Sequence, residues 1–431
     1  MLQHGRLHEE SGHRQAPPLA MGAFAQSLRL LGTRRFGTFC FASLLSNLGT
    51  WAQQVAEPWL LLTLGASSFL IGLDSFAMAA PVWILTLVGG LLADRSDRRH
   101  VIATCQSIQM LCPLLLVVLL LTGGVQPWLV IALSAVVGIT DALSMPSFTS
   151  IVPSIVDRNQ IPAALALNAT QFNLSRVLGP ALAGVIMASV GAVGCFALNT
   201  ASYLPFIWVA LWILPRGKPA AEENGSEHRP LLDGLRHVLL TPSLRGALLT
   251  VLLTSALCGP LIVFVPVLVK TVLQGDVGHF SAAVSAFGIG GLLGAVALLG
   301  VEGGRDRRRI SSRLAAGYGL VVALTAVNPW FWALPALLAL AGFAMTVSNT
   351  SANSLLQATS LPQLRGRTVS LYMLAMRGGL AIGSLLTGLS VDLLGVRDAL
   401  LINGVVAVAA QLAVGHFWVR ASPGGTAAQK L

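Results

Sequence analysis

A chain of 431 residues in which 55% are hydrophobic and only 10% charged does not divide into ordinary soluble domains. Mean hydropathy is +0.75, and apolar runs of the roughly 20 residues that a spanning helix needs recur almost back to back from Phe36 to Val419. The formal charge of +10 would suit a nucleic-acid binder, but the basic residues gather in the loops of one side, which excludes a nucleic-acid partner in favour of a lipid bilayer.

The first thirty residues are polar and charged and lack the short apolar core of a secretory signal. Met21 to Leu31 could lie on the membrane as a short amphipathic helix. Twelve spans follow, at residues 36–62, 68–93, 101–122, 127–149, 163–190 and 193–214, then 246–272, 279–301, 311–327, 331–355, 368–391 and 398–419. Helices are expected throughout, because an open strand cannot satisfy its backbone in lipid and the alternation of a barrel is missing. The break from Pro215 to Arg245 is the one long hydrophilic segment between spans. Within it Leu231, Leu232, Leu235, Val238 and Leu239 recur at helical spacing. The expected organisation is a tail at 1–34, a six-helix bundle at 35–214, a linker at 215–245, a second bundle at 246–420 and a tail at 421–431. Five cysteines, Cys40, Cys105, Cys112, Cys195 and Cys258, fall inside apolar runs without metal-ligand spacing, so no metal or cofactor is expected.

Of 27 Lys and Arg residues, 23 fall in the tails and the loops after the even-numbered spans, against Lys270 and Arg397 on the other side. This asymmetry predicts that both termini are cytoplasmic. The remaining two, Arg176 and Arg377, lie inside spans. An internal repeat is suggested by setting Gly90–Arg99 against Gly300–Arg309, which pairs Arg95, Arg98 and Arg99 with Arg305, Arg308 and Arg309. Arg176 can likewise be set against Arg377, and Asn199 against Asn403.

The loop GGLLADRSDRR after span 2, with Gly90, Asp94, Arg95, Arg98 and Arg99, resembles the signature loop of the major facilitator superfamily of secondary transporters. Asp97 stands where many members have glycine. This variant, and the stretch Ser150–Ile186 with Asn173, Arg176, Gly179, Pro180 and Gly184, are similar to the branch that includes the enterobactin exporter and macrolide efflux proteins. The resemblance implies an all-α polytopic membrane protein of twelve transmembrane helices in two pseudo-symmetric six-helix bundles. It also implies a monomeric exporter in the inner membrane that exchanges protons for a small amphiphilic molecule, such as a siderophore or a drug. Asp94 is then expected to contact the positive amino end of span 11 as a gate. Arg98 could pair with Asp157, and Gly304 replaces the acid in the second copy. The arginine that drug–proton antiporters carry in span 4 is replaced by an acid, Asp141.

Charged groups inside a bilayer normally face a cavity or a partner. Glu57 and Asp74 have similar expected depths and fit either a shared proton-carrying site or two residues at the wet interface. Asp141 and Arg176 could form an ion pair, mobile or static. Arg377 has no evident acid at its depth and suits an anionic substrate group, a lipid headgroup or a backbone carbonyl. Gln53, Gln54, Asn168, Asn173 and Asn349 are candidates for a cavity lining or for helix-to-helix hydrogen bonds. Pro81, Gly179 with Pro180, and Gly259 with Pro260 are expected to interrupt spans 2, 5 and 7. No phosphate-binding loop, HExxH or nucleophilic triad is present, so an enzyme is not expected. An importer or facilitator on the same fold, or a lipid or lysolipid transporter, remains open.

Overall fold

The computed structural model describes residues 29–215, 231–299, 306–361 and 364–420, and every regular element among them is helical. Span 1 is Phe36–Thr63, span 2 runs in two pieces, Ser68–Ala79 and Pro81–Arg95, and spans 3 to 6 are Arg98–Thr122, Pro127–Ser154, Ile161–Ser189 and Ala192–Trp212. A separate helix, Leu231–Leu240, precedes span 7, which begins at Pro242. Spans 8 to 12 are Val277–Leu299, Arg307–Val327, Ala333–Thr359, Arg365–Leu394 and Val396–Arg420. Eleven of these spans are apolar and long enough to cross a membrane. Span 1 is the other, and it carries Asn47, Gln53, Gln54 and Glu57. The predicted amphipathic helix at Met21–Leu31 and the second signature loop with Gly304 lie largely or wholly outside the described residues. So do the linker at 216–230 and the tail from 421.

Spans 1 to 6 pack on one another, as do spans 7 to 12, and the two bundles meet along two helix pairs, span 2 with span 11 and span 5 with span 8. Small residues make the first seam possible. A Cβ on Gly72 would overlap the Ser384 carbonyl, and one on Gly388 would press on Ser68 and Phe69. Without a hydrophobic drive between helices in lipid, such close backbone approach is a main source of packing energy.

Pro81 divides span 2, since it cannot donate to the carbonyl four residues back. Span 7 contains a π turn, Thr254–Cys258, closed by the Gly259 N–H on the Thr254 carbonyl at 3.0 Å and followed at once by Pro260. Span 5 departs from expectation, because Ile161–Ser189 is one continuous helix with Pro180 inside it. Gly179 there lets span 5 lie against Trp51 of span 1, so the Gly–Pro pair serves close packing and not interruption.

Spans 3 and 9 begin in the same way. Asp97 accepts from the Arg99 N–H at 3.1 Å and from Arg99 Nε at 2.8 Å. Asp306 accepts from the Arg308 N–H at 3.0 Å, with Arg308 Nε at 3.5 Å. Each acid is a helix N-cap. The repeat therefore aligns Asp97 with Asp306 and Arg99 with Arg308, one residue away from the register that the arginines alone suggest. Asp97 thus serves as the capping residue of span 3. Partial burial pulls its carboxyl up, but the hydrogen bonds and charge of Arg99 outweigh this and hold it below the ordinary carboxylate range.

Candidate functional site

Near the middle of spans 4 and 11, Arg377 Nη1 donates to Asp141 Oδ2 at 2.5 Å, an ion pair that joins one bundle to the other. The side chains remain 32% and 40% exposed. Mid-span charges that keep this much exposure suit the space between the bundles rather than the lipid face. Two expectations are corrected here. Asp141 pairs with Arg377 and not with Arg176, and Arg377 does have an acid partner, supplied by the opposite bundle. Depth within one half does not predict this pair, because it is the assembly of both halves that brings Asp141 of span 4 to Arg377 of span 11.

Arg176 takes a different position. Its guanidinium lies 5.3 Å from the centre of the Trp51 ring, Trp51 packs edge-on to Phe172, and Tyr318 of the other bundle lies within reach of its charge. Among the described residues it has no acidic partner. The site thus offers a cation on an aromatic wall, at mid-span, next to the second bundle.

The glutamines and asparagines of the first bundle form a network. Asn199 Nδ2 donates to Gln53 Oε1 at 2.6 Å, and Gln53 Nε2 donates to Glu57 Oε2 at 3.3 Å. Ser134 Oγ donates to Glu57 Oε1 at 2.6 Å. Asp74 faces the same serine and the same carboxylate. Gln54 borders a small cavity beside this network. Asn168 Oδ1 accepts from Gln171, and Asn349 Oδ1 accepts from Thr254 Oγ1 at 3.3 Å. The side chain of Asn173 lies outside the described residues.

The face that bears the basic loops and its opposite differ in how they close. On the opposite face, both Asp392 oxygens accept backbone N–H groups at the start of span 2, Ser68 at 2.8 Å and Phe69 at 2.9 Å. Trp59 stacks on Phe280 with centroids 6.0 Å apart, and Lys270 Nζ lies 5.6 Å from the Trp59 ring centre. Two turns deeper Ser75 and Ser384 are 3.3 Å apart, and Gly184 meets Ser281. Among the described residues, every hydrogen bond and ring contact between bundles lies from mid-span to this face. The bundles are joined there.

The signature loop lies at the basic face. Gly90 and Arg95 sit on the last turns of span 2, and Arg99 is held by Asp97 and by the Leu211 carbonyl at 3.1 Å. The Asp94 side chain lies outside the described residues. Arg98 and Asp157 form no ion pair. Asp157 is exposed at the start of the turn Arg158–Gln160.

Asp392, Trp59 and Trp83 were not among the residues singled out by sequence. Trp83 packs on Gly378, one residue from Arg377, and its Nε1–H has no hydrogen-bond partner among the described residues. An aromatic residue in an apolar run carries no signal of its own, and an acid two positions before a helix end looks like ordinary surface.

Two six-helix bundles joined along helix pairs, with charged groups in the space between them, define a membrane transporter of the major facilitator type. Residues 25–428 match the family profile described as transmembrane secretion effector, and the chain belongs to that family. It is 27% identical over 372 residues to the staphyloferrin A transporter of Staphylococcus aureus (strain NCTC 8325 / PS 47), covering 85% of this chain and 92% of that one. It is 26% identical to the multidrug efflux pump Tap of Mycolicibacterium fortuitum, over 85% and 93% of the two chains. The enterobactin exporter EntS of Salmonella choleraesuis (strain SC-B67) is 26% identical over 84% and 87%. Among solved structures, the nucleoside transporter NupG superposes with a TM-score of 0.69 at 14% identity, covering 90% of this chain and 99% of that one. A bacterial homologue of the human lysosomal transporter Spinster gives 0.69 at 14%, over 92% and 99%. The protein is a multi-pass membrane transporter and not an enzyme.

Proposed function

We propose that the protein exports a small amphiphilic anion, siderophore-like or drug-like, in exchange for protons, by alternating access between its two bundles. The observation that carries this reading is the Asp141–Arg377 pair. It is a bridge between bundles at mid-span, open to the central space, and it can be broken by a proton on the acid or by an anion on the arginine. Arg176 on its Trp51 wall supplies a cation for the substrate's anionic group, and nearby aromatic rings suit its apolar part. Relatives named for siderophore and drug efflux favour the outward direction.

The basic loops favour a cytoplasmic position for their face and for both termini, and on this reading the chain works as a monomer in the inner membrane. With the opposite face joined, the arrangement is the one that loads from the cytoplasm. Asp392 at the outer end of span 11 then latches the amino end of span 2, and on this reading Asp94 does the same for span 11 at the inner face. The test uses inverted membrane vesicles with an imposed pH gradient and a panel of siderophores and amphiphilic drugs. Substrate-dependent proton flux is expected for at least one compound, and no such flux across the panel removes the antiport reading.

A further inference from the structure

Glu57, Asp74 and Ser134 make a second polar centre, inside the first bundle and separate from the Asp141–Arg377 bridge. Glu57 and Asp74 are only 7% and 8% exposed. Ser134 and Gln53 donate to the two Glu57 oxygens, so each oxygen of that carboxylate has one donor. Asp74 differs. Its Oδ1 is buried, has no hydrogen-bond partner, and belongs to a side chain that faces Glu57 and Ser134.

The groups around the centre offer no compensating charge. Span 3 contributes the Cys112 thiol and span 6 the Tyr203 hydroxyl. Farther along span 4, Asp141 is already engaged by Arg377. From the second bundle, Lys270 lies over the Trp59 ring. No basic side chain among the described residues acts on either carboxylate. Two ionised carboxylates without a cation beside them in a buried, low-dielectric site repel, and each costs several kcal/mol to desolvate. On the Glu57 and Ser134 side of the centre is a cavity of about 20 Å³, bounded also by Gln53 and Asn199, with room for one water-sized occupant.

We propose that this centre binds one monovalent cation, a proton or a sodium ion, with Asp74 Oδ1 as the open ligand and Glu57 and Ser134 beside it. The placement links occupancy to the bundle interface. Gly72 and Ser75 flank Asp74 on span 2 and touch Ser384 of span 11. Ser134 is two turns, about 10 Å, from Asp141 on span 4. The consequence, that this cation is the exchanged ion, rests on the export reading, whereas the binding itself does not.

The experiment uses the full-length protein in lipid nanodiscs without substrate. Thermal unfolding is compared in sodium chloride and in choline chloride at equal ionic strength and pH, and infrared spectra report protonated carboxyl groups at neutral pH. One of two results is expected. Either sodium raises the unfolding midpoint saturably and Asp74→Asn abolishes the response, or sodium has no effect and a protonated-carboxyl band is present that Asp74→Asn removes. Absence of both a sodium response and a band lost in Asp74→Asn or Glu57→Gln overturns the proposal. Should those variants fail to fold, Ser134→Ala keeps both acids and is expected to weaken the sodium response or shift the band. If it matches the wild type in both, the proposal is also overturned. A cation signature without any transported substrate removes the export reading alone, and transport without a cation signature removes this site alone.

Discussion

Asp141 and Arg377, 236 positions apart in the chain, meet at 2.5 Å where the two bundles face one another. Both lie partly open to the central space, so their attraction is screened and the static pair is worth about 1 kcal/mol or less. Its value lies in being breakable. Asp141→Asn and Arg377→Gln are each expected to reduce transport at least tenfold, an effect of about 1.4 kcal/mol on the transition state, with membrane insertion unchanged in both variants.

Arg176 faces Trp51 with no acid at hand among the described residues. If it receives the anionic group of the substrate, Arg176→Ala is expected to raise the half-saturating concentration more than tenfold. Arg176→Lys should recover part of that loss, because a point charge remains while the planar stack is gone. Transport assays over a substrate concentration series measure both effects.

Asp392 caps span 2 from the opposite bundle through two backbone hydrogen bonds. Losing a helix cap costs about 0.5–2 kcal/mol, so Asp392→Ala should shift the population away from the state joined at this face. The check is cross-linking of Ser75→Cys with Ser384→Cys, whose hydroxyls are 3.3 Å apart. Cross-linking should be fast in the otherwise native protein and several-fold slower with Asp392→Ala.

Gly72 meets the Ser384 carbonyl so closely that any side chain there must push the bundles apart. Gly72→Leu is expected to fold and insert, since the wedge acts between bundles, but to be slowed in transport. The same Ser75–Ser384 cross-link should be lost in this variant.

Asp97 caps span 3 and holds Arg99. Its carboxyl lies below the ordinary carboxylate range, so the stability it contributes is present above about pH 4 and is lost as pH falls through the lowered folded-state value. Asp97→Ala should lower stability at neutral pH by roughly 0.5–2 kcal/mol. The gap between variant and wild type should narrow in acid, as followed by thermal unfolding across a pH series.

Much of the architecture was legible from hydropathy and charge. Helix ranges came within a few residues, because a bilayer forces each apolar run into one helix. The repeat register was missed by one residue because arginines at a loop end are interchangeable as charges, while the capping acid, Asp97 or Asp306, is fixed by geometry. The partner of Asp141 was not legible at all. Depth along a helix can be counted, but which helices face each other across the seam depends on how two bundles assemble. Asp392 was invisible for the same reason, since its ligands are backbone N–H groups of a distant helix.

The most direct test of the account is a charge reversal at the bridge. Transport is measured in inverted vesicles for Asp141→Arg, Arg377→Asp and the two together, with equal amounts inserted. Each single reversal is expected to abolish transport, and the double variant to recover a substantial fraction of it. Transport by either single variant at the wild-type rate, or a double variant no better than the singles, would contradict it.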